Sequence, residues 1–306
     1  MNLAESVVEW VLAALPYDRS DPKVVDALSR EHPRALLVLY FDWRRRQIPA
    51  QPRRVMRSRA FDQNPIAAAR SVTIAEIVDD IERGADLTKY LSRRIRRGFT
   101  LPRKSGKKRP SQLEHLDLLL NDWGVHHLHL STDVEAHGFV KRDDPLLLVM
   151  FRSEKAYFLA VGTHQSFADD QLVRIAVENW PEDKLFIELK GVLGSREKPP
   201  YSPEERRQLR SAGLASYINI DGRLFSPPGG ITTAGTSTQA SLWSGHVMRT
   251  LRDFEDEVEK DPSRILALIQ QHGGKPGDQP EFKFAFFQKG FGVVEKTSGA
   301  VIGLGA

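Results

Sequence analysis

Three imidazoles fall within four positions at His126-His127-Leu128-His129, between the break at Trp123-Gly124 and the pair Leu130-Ser131. Histidine is the side chain whose unperturbed pKa lies nearest neutrality, so the cluster nominates a site for proton transfer or metal binding. In an extended strand, alternation sends His127 and His129 to one face and His126, Leu128 and Leu130 to the other. Two histidines side by side on an open face are expected, with His126 packed or hydrogen-bonded in the core. His164 follows the end of a later apolar run and is expected beside the same small sheet.

Three neutral imidazoles can ligate a metal, but no paired carboxylate motif stands next to them; Asp133, Glu135, Asp169 and Asp170 are the nearest candidates. No metal and no cofactor are expected. Without one, His127, His129 and His164 suit RNA cleavage by internal transfer: a base takes the 2′-hydroxyl proton, an acid protonates the leaving oxygen and cations stabilise the added charge. Lys141, Arg142, Arg152 and Lys155 lie close in sequence to supply that charge, although each also suits a solvated turn. The run Gly229 to Thr238 stands before a helix, and its residues Gly235, Thr236, Ser237 and Thr238 can offer amides and hydroxyls to a phosphate. It matches no phosphate-loop consensus, and a plain loop is the alternative.

The chain has 306 residues and 41% apolar residues, enough for a real core, and a formal net charge of +4 that is unevenly placed. One basic run holds Arg44, Arg45, Arg46, Arg53, Arg54, Arg57 and Arg59. A second holds Arg93, Arg94, Arg96, Arg97, Arg103, Lys104, Lys107, Lys108 and Arg109 with no acidic residue. Such a stretch can neutralise several phosphates and points to RNA, or less readily DNA, as partner. An acidic inhibitor or antitoxin protein would use the same surface, and a solvated charged face is the bland reading. There is no cysteine, which excludes disulfides, thiolate ligands and cysteine nucleophiles and fits a cytoplasmic setting. Met1 to Pro16 reads as an amphipathic helix carrying Glu5 and Glu9 in place of a signal peptide, and no segment reaches the ~18 apolar residues of a membrane span.

Around these residues the pattern predicts an α+β fold. Residues 1–109 read as a basic, mostly helical region with little sign of strands, and 110–306 as an α+β domain with antiparallel sheet carrying the histidines; the boundary is expected within Gly98 to Ser111. Thr73-Ile74-Ala75-Glu76 looks like a capping box opening a helix that Gly84 ends, and a second short helix is expected from Leu87 to Gly98. Leu113, Leu116, Leu120 and Trp123 mark a helix closed by Gly124, followed by the strand Val125 to Leu130. Leu146–Phe151 and Ala156–Gly162 predict an antiparallel hairpin, and Ala168–Trp180 a helix covering one face of the sheet. Ser202-Pro203 opens a helix, Asp221-Gly222 a hairpin turn, Trp243 to Phe254 a long helix and Asp261-Pro262 another; Phe282–Phe287 and Phe291–Val294 are the last expected strands.

The stretch Leu113 to Pro181, a leading helix and a short sheet with His127, His129 and His164 on or beside it, resembles the compact ribonuclease toxins of the RelE, EndoU and barnase-like group. That resemblance implies metal-independent endonucleolytic cleavage of RNA by a toxin or defence factor. The triplets His129-Leu130-Ser131 and His164-Gln165-Ser166 are also similar to the His-x-Ser motifs of the 2H phosphoesterases. A phosphoesterase of that type, or a metal-dependent one, is therefore an alternative. A further alternative is a nucleic-acid-binding or regulatory protein without catalysis, although no helix-turn-helix, zinc-finger or RNP pattern is present. Convergence of the histidines in a basic cleft favours an enzyme, and burial against leucines favours the binding protein.

Overall fold

A computed structural model describes residues 2–102, 115–192, 201–277, 279–287 and 290–305. The fold is α+β. Arg103, Lys104, Lys107, Lys108, Arg109 and Leu113 lie outside the described residues. In chain order the elements are α1 Leu3–Ala14, α2 Pro22–Ser29, α3 Pro33–Arg45, β1 Arg54–Arg57, α4 Arg59–Asp62, α5 Pro65–Ala69, α6 Ser71–Arg83, α7 Leu118–Trp123, β2 Val125–His129, β3 Leu146–Phe151, β4 Lys155–Gly162 and α8 Gln171–Asn179. They continue as β5 Ile187–Glu188, α9 Pro203–Ser211, β6 Ile218–Ile220, β7 Arg223–Ser226, α10 Thr238–Lys260, α11 Ser263–Gln271, β8 Phe282–Phe287, β9 Gly290–Glu295 and β10 Val301–Gly305.

Two compact units divide the chain: Met1–Phe41 with Gly98–Leu101 and Gln239–Ala306, and Asp42–Arg97 with Pro102–Thr238. A linear division at residue 109 does not coincide with them, because the second unit draws on both sides of that point.

The second unit holds the histidines. Its four-stranded sheet runs β1-β4-β3-β2, with β1 parallel to β4 and the other pairs antiparallel. In this register His127 faces Leu148 across the ladder and His129 faces Leu146. Alternation along β3 and β4 divides their side chains between two layers. Leu147, Val149 and Phe158 join Leu128 and the α6 residues Ile74, Ile77 and Ile81 on one side. Leu148, Met150, Tyr157 and Leu159 join Val125 and the α8 residues Leu172, Val173 and Ala176 on the other. Both faces are therefore covered, where one was expected. The reason is legible in β3 itself: Leu146 to Met150 are all fully buried, and an unbroken apolar run without alternation belongs to a strand with core on each side. Each such side chain contributes about 1.5–3 kcal/mol of apolar burial.

Several local expectations change. The region before residue 109 does contain a strand, β1, whose sequence Arg54-Val55-Met56-Arg57 shows no apolar alternation because it is an edge. Helix α6 starts at Ser71, with Arg70 at the cap position and Thr73 buried inside it, so the apparent capping box does not cap. Residues 87–98 form two 3₁₀ turns, Thr88–Tyr90 and Arg93–Arg96, separated by Leu91 in extended conformation. The basic helix face expected there does not exist. Gly84 and Gly124 do end α6 and α7 in left-handed conformation, at φ 72° and 71°. The Asp221-Gly222 turn is as expected, with both residues at positive φ, 52° and 84°.

The first unit is built on α1, which buries Leu3, Val7 and Val11. Trp10 meets Tyr40, Phe284 and Phe286 edge-on at centroid distances of 4.9, 5.8 and 4.8 Å. Its antiparallel sheet β10-β9-β8 contains β10, a glycine-rich strand not expected from sequence.

Candidate active site

Helix α7 and the residue after it aim the first functional side chain. Asp117 caps the helix, one carboxylate oxygen accepting the Leu120 amide at 3.0 Å, and Gly124 turns the chain directly into β2. The other oxygen of Asp117 lies 3.7 Å from His127 Nδ1, an ion-pair distance too long for a hydrogen bond. The His127 side chain is 12% exposed, and its Nδ1 is buried. Nε2 is the nitrogen left toward solvent. Burial, opposed by the Asp117 charge, holds its pKa below the ordinary histidine value, so the ring is neutral at physiological pH.

His164 opens the 3₁₀ turn His164–Ala168 that follows β4, a turn capped by Thr163 and Ser166. Its Nδ1 lies 3.1 Å from Asp144 Oδ1. A carboxylate only accepts, so Nδ1 carries the proton and Nε2 is free. The rings of His127 and His164 are 6.1 Å apart, and Phe167 sits against both at 5.0 and 5.2 Å. Two histidines, each with Nδ1 toward a carboxylate, thus share one place.

The other two imidazoles are excluded from it. His129 is on the same face as His127, with ring centroids 6.3 Å apart, but it is 1% exposed and does not line the cavity. Neither of its nitrogens makes a well-formed hydrogen bond among the described residues, the Asp143 backbone being only a weak polar neighbour. Burial, with the nearby His127 and Arg142 charges, pushes its pKa down to about 4. The open face expected for it is closed by the second core layer, and its assignment to proton transfer is corrected on that ground. His126 donates from Nε2 to the Arg45 carbonyl at 3.2 Å and meets Phe151 edge-on at 5.4 Å. Burial lowers its pKa to about 4, as befits a hydrogen-bonded core histidine. The His-x-Ser pattern fails for the same reason: His129 has no open side, Ser131 accepts the Asp133 amide and Ser166 is used in the Thr163 cap.

His127 and His164 line a cavity of about 360 Å³ together with Arg46, Arg94, Arg142, Arg207 and Arg210. Arg94, Arg142 and Arg207 are exposed, whereas Arg46 and Arg210 are buried. Arg142 donates to Ser92 Oγ at 3.3 Å, and burial together with the neighbouring Arg94 and Arg93 charges lowers its pKa. Among the described residues neither Arg94 nor Arg142 pairs with a carboxylate. Positive charge is crowded at the mouth, a condition that an anion relieves. The remaining arginines of that run are differently placed. Arg93 contacts His137 Nε2 at 3.0 Å, and Arg96 donates to the His137 carbonyl at 2.9 Å while covering Phe139 at 4.7 Å. The carbonyls of Arg94 and Arg97 accept from buried Arg46 at 2.9 and 2.5 Å.

The candidate phosphate loop is occupied from within. Both oxygens of buried Asp42 accept the Ser237 amide, at 2.9 and 3.3 Å, and burial raises the Asp42 pKa to about 6. The amides of Gly235 and Thr238 are bonded to the Thr232 and Gly230 carbonyls, and the Thr236 hydroxyl to that of Thr232. Gly235, Thr236, Ser237 and Thr238 build a closed turn, which corrects their assignment to a phosphate cradle.

Sequence reasoning missed Asp117, Asp144, Phe167, Arg46, Arg207 and Arg210. Asp117 had a signal, an aspartate immediately before an apolar helical run, but its second oxygen reaches His127 only in three dimensions. Among the described residues no group of three His, Asp or Glu side chains is arranged to hold a metal ion. No helix among them is long and apolar enough to cross a membrane. The chain matches no protein-family model, no curated protein and no solved structure.

Proposed function

We propose that this protein is a metal-independent endoribonuclease that cuts RNA by internal transfer. One observation carries the reading. His127 and His164 stand 6.1 Å apart on an arginine-lined cavity, each with Nδ1 toward an aspartate and Nε2 free.

In this reading neutral His127 is the base: its Nε2 takes the proton of a 2′-hydroxyl while Asp117 stabilises the imidazolium that forms. The 2′-oxygen attacks the adjacent phosphorus, and the bond from phosphorus to the 5′-oxygen breaks. His164, protonated on both nitrogens with Nδ1–H held by Asp144, delivers its Nε2 proton to that leaving oxygen, and exchange with solvent afterwards discharges His127 and reprotonates His164. The products are a 2′,3′-cyclic phosphate and a free 5′-hydroxyl, with no change in oxidation state and no other reactant. Arg94 and Arg142 stabilise the additional negative charge of the five-coordinate transition state. His129, which the sequence placed among the proton-transfer groups, has no part in these steps.

RNA is the partner this chemistry requires, and an acidic inhibitor protein is the partner that the exposed arginines would accept in its place. A cytoplasmic toxin or defence factor is the setting that accords with both. Purified protein incubated with mixed RNA in EDTA, beside His127→Ala and His164→Ala, tests the reading. Cleavage in EDTA that disappears in both variants supports it. Activity that needs added Mn²⁺ or Zn²⁺ would replace it with a metal-dependent phosphoesterase, and RNA binding without cleavage under any condition would replace it with a nucleic-acid-binding protein.

A further inference from the structure

Helix α9 places two arginines where charge is costly to put. Arg206 is 1% exposed and Arg210 is 4% exposed, and the fully buried carboxylate beside them is that of Asp122, 2.9 Å from Arg210 Nε. A buried ion pair adds little net stability over apolar packing of the same volume, and a second guanidinium makes the balance worse. Asp170, 3.7 Å from Arg206, is partly exposed and compensates only in part. Both guanidinium groups lie over the Trp123 ring, at 4.5 Å for Arg210 and 5.8 Å for Arg206. Stability alone does not account for the arrangement.

The rest of each fork shows what it holds. Arg210 Nη1 donates to the Phe167 carbonyl, and Arg206 Nη1 donates to the Ala168 carbonyl at 2.9 Å. These two residues end the turn His164–Ala168. The last carbonyls of a helical turn have no partner within it, and here two guanidinium forks supply one. At the other end of the clamp, Asp122 and Trp123 are the last residues of α7, just before the strand that carries His127. Helix α9 thus grips both the turn bearing His164 and the helix end that leads to His127. Arg207, between the two buried arginines, is exposed and lines the cavity, which Arg210 also borders from its buried position.

We infer that Arg206 and Arg210 are positioning residues of the two-histidine site, setting the separation of His127 and His164 through the carbonyls of Phe167 and Ala168. The inference rests on the ribonuclease reading for its catalytic consequence, but not for its structural one. Lysine keeps the charge and loses the planar fork, so Arg206→Lys and Arg210→Lys remove the grip while leaving a cation beside Asp122 and Asp170.

The experiment measures amide hydrogen exchange across the full-length protein together with kcat and KM on a labelled single-stranded RNA. Both variants are expected to speed exchange in peptides covering 163–169 by about tenfold with β3 and β4 unchanged, because local opening is scored separately from global unfolding. On RNA, kcat should fall by about 10- to 100-fold with KM nearly constant, the cost of misplacing a reacting group by an ångström or less. Exchange that is unchanged at 163–169, or raised equally across the sheet, overturns the inference, as does an unaltered kcat in a variant whose turn has loosened. Local loosening in a protein that cuts no RNA overturns the ribonuclease reading and leaves the anchoring of the turn standing. Should either lysine variant fail to fold, Asp170→Asn, which removes the partly exposed carboxylate at 3.7 Å and leaves both forks intact, is expected to give a smaller rise in exchange confined to the same peptides.

Discussion

Replacing His129 with leucine separates what the histidine cluster does for the fold from what it does for chemistry. His129 is 1% exposed, and burial takes its pKa from 6.5 to about 4. The unfolded chain binds a proton on this ring below its unfolded pKa of 6.5, whereas the folded chain refuses one until near pH 4. The stability tied to the neutral ring is therefore complete above pH 6.5, declines as the pH falls, and levels out once the folded ring also protonates. Between pH 7 and pH 5 that loss amounts to about 2 kcal/mol for one such histidine. His126, lowered to about 4 as well, doubles it to roughly 4 kcal/mol, a large part of the ~5–15 kcal/mol that holds a typical domain together.

His129→Leu removes one of these two contributions. Urea unfolding followed by circular dichroism at pH 5, 6, 7 and 8 should show the variant within about 1 kcal/mol of wild type at pH 8, since the swap nearly conserves volume. At pH 5 it should be more stable than wild type by about 2 kcal/mol beyond whatever difference exists at pH 7. Stability curves that run parallel across this range would refute the argument, because they would mean that His129 takes up its proton normally in the folded protein. RNA cleavage should survive the substitution. A hundredfold loss of activity at pH 7 with stability intact would place His129 back in the site.

Three further outcomes follow from the same geometry. Asp117→Asn should lower kcat at least ~10-fold with KM little changed, because the amide cannot stabilise the His127 imidazolium; single-turnover kinetics reads this directly, and a change confined to KM would count against it. Reversing Arg94 and Arg142 to glutamate should weaken RNA binding and flatten the dependence of log K on log salt by about 0.7 for each phosphate of a single strand that is no longer neutralised, measured by fluorescence anisotropy at several salt concentrations; an unchanged slope would remove both from the RNA path. Asp122→Ala leaves the Arg210 guanidinium buried without its carboxylate and should cost about 3–5 kcal/mol in chemical denaturation, with a decrease under ~1 kcal/mol contradicting the burial of the pair.

How far the site could be read from sequence depends on which physical signal each residue leaves. Strand parity placed His127 and His129 on one face and His126 with Leu128 and Leu130 on the other, and the ladder has that arrangement. Parity says which side a residue takes, not whether that side is open. The information on openness lay elsewhere, in the continuous apolar run Leu146 to Met150, which demands core on both faces of β3 and so closes the space over His129. Caps and turns with a local cause were legible for the same reason that they form: Gly124, Asp221-Gly222 and the Ser202 cap need only neighbouring residues. Thr73 shows the limit of such signals, since an earlier start at Ser71 buried it inside the helix. Basic runs were the least legible. Arg93, Arg94 and Arg96 are near neighbours in the chain, yet one lines the cavity and two are engaged with His137, because a guanidinium reaches whatever carbonyl, ring or anion the fold brings near. Arg206 and Arg210 carry this furthest. Nothing local marks these two charged side chains for burial, which is possible only because Trp123, Asp122 and two turn carbonyls, all distant in sequence, converge there to receive them.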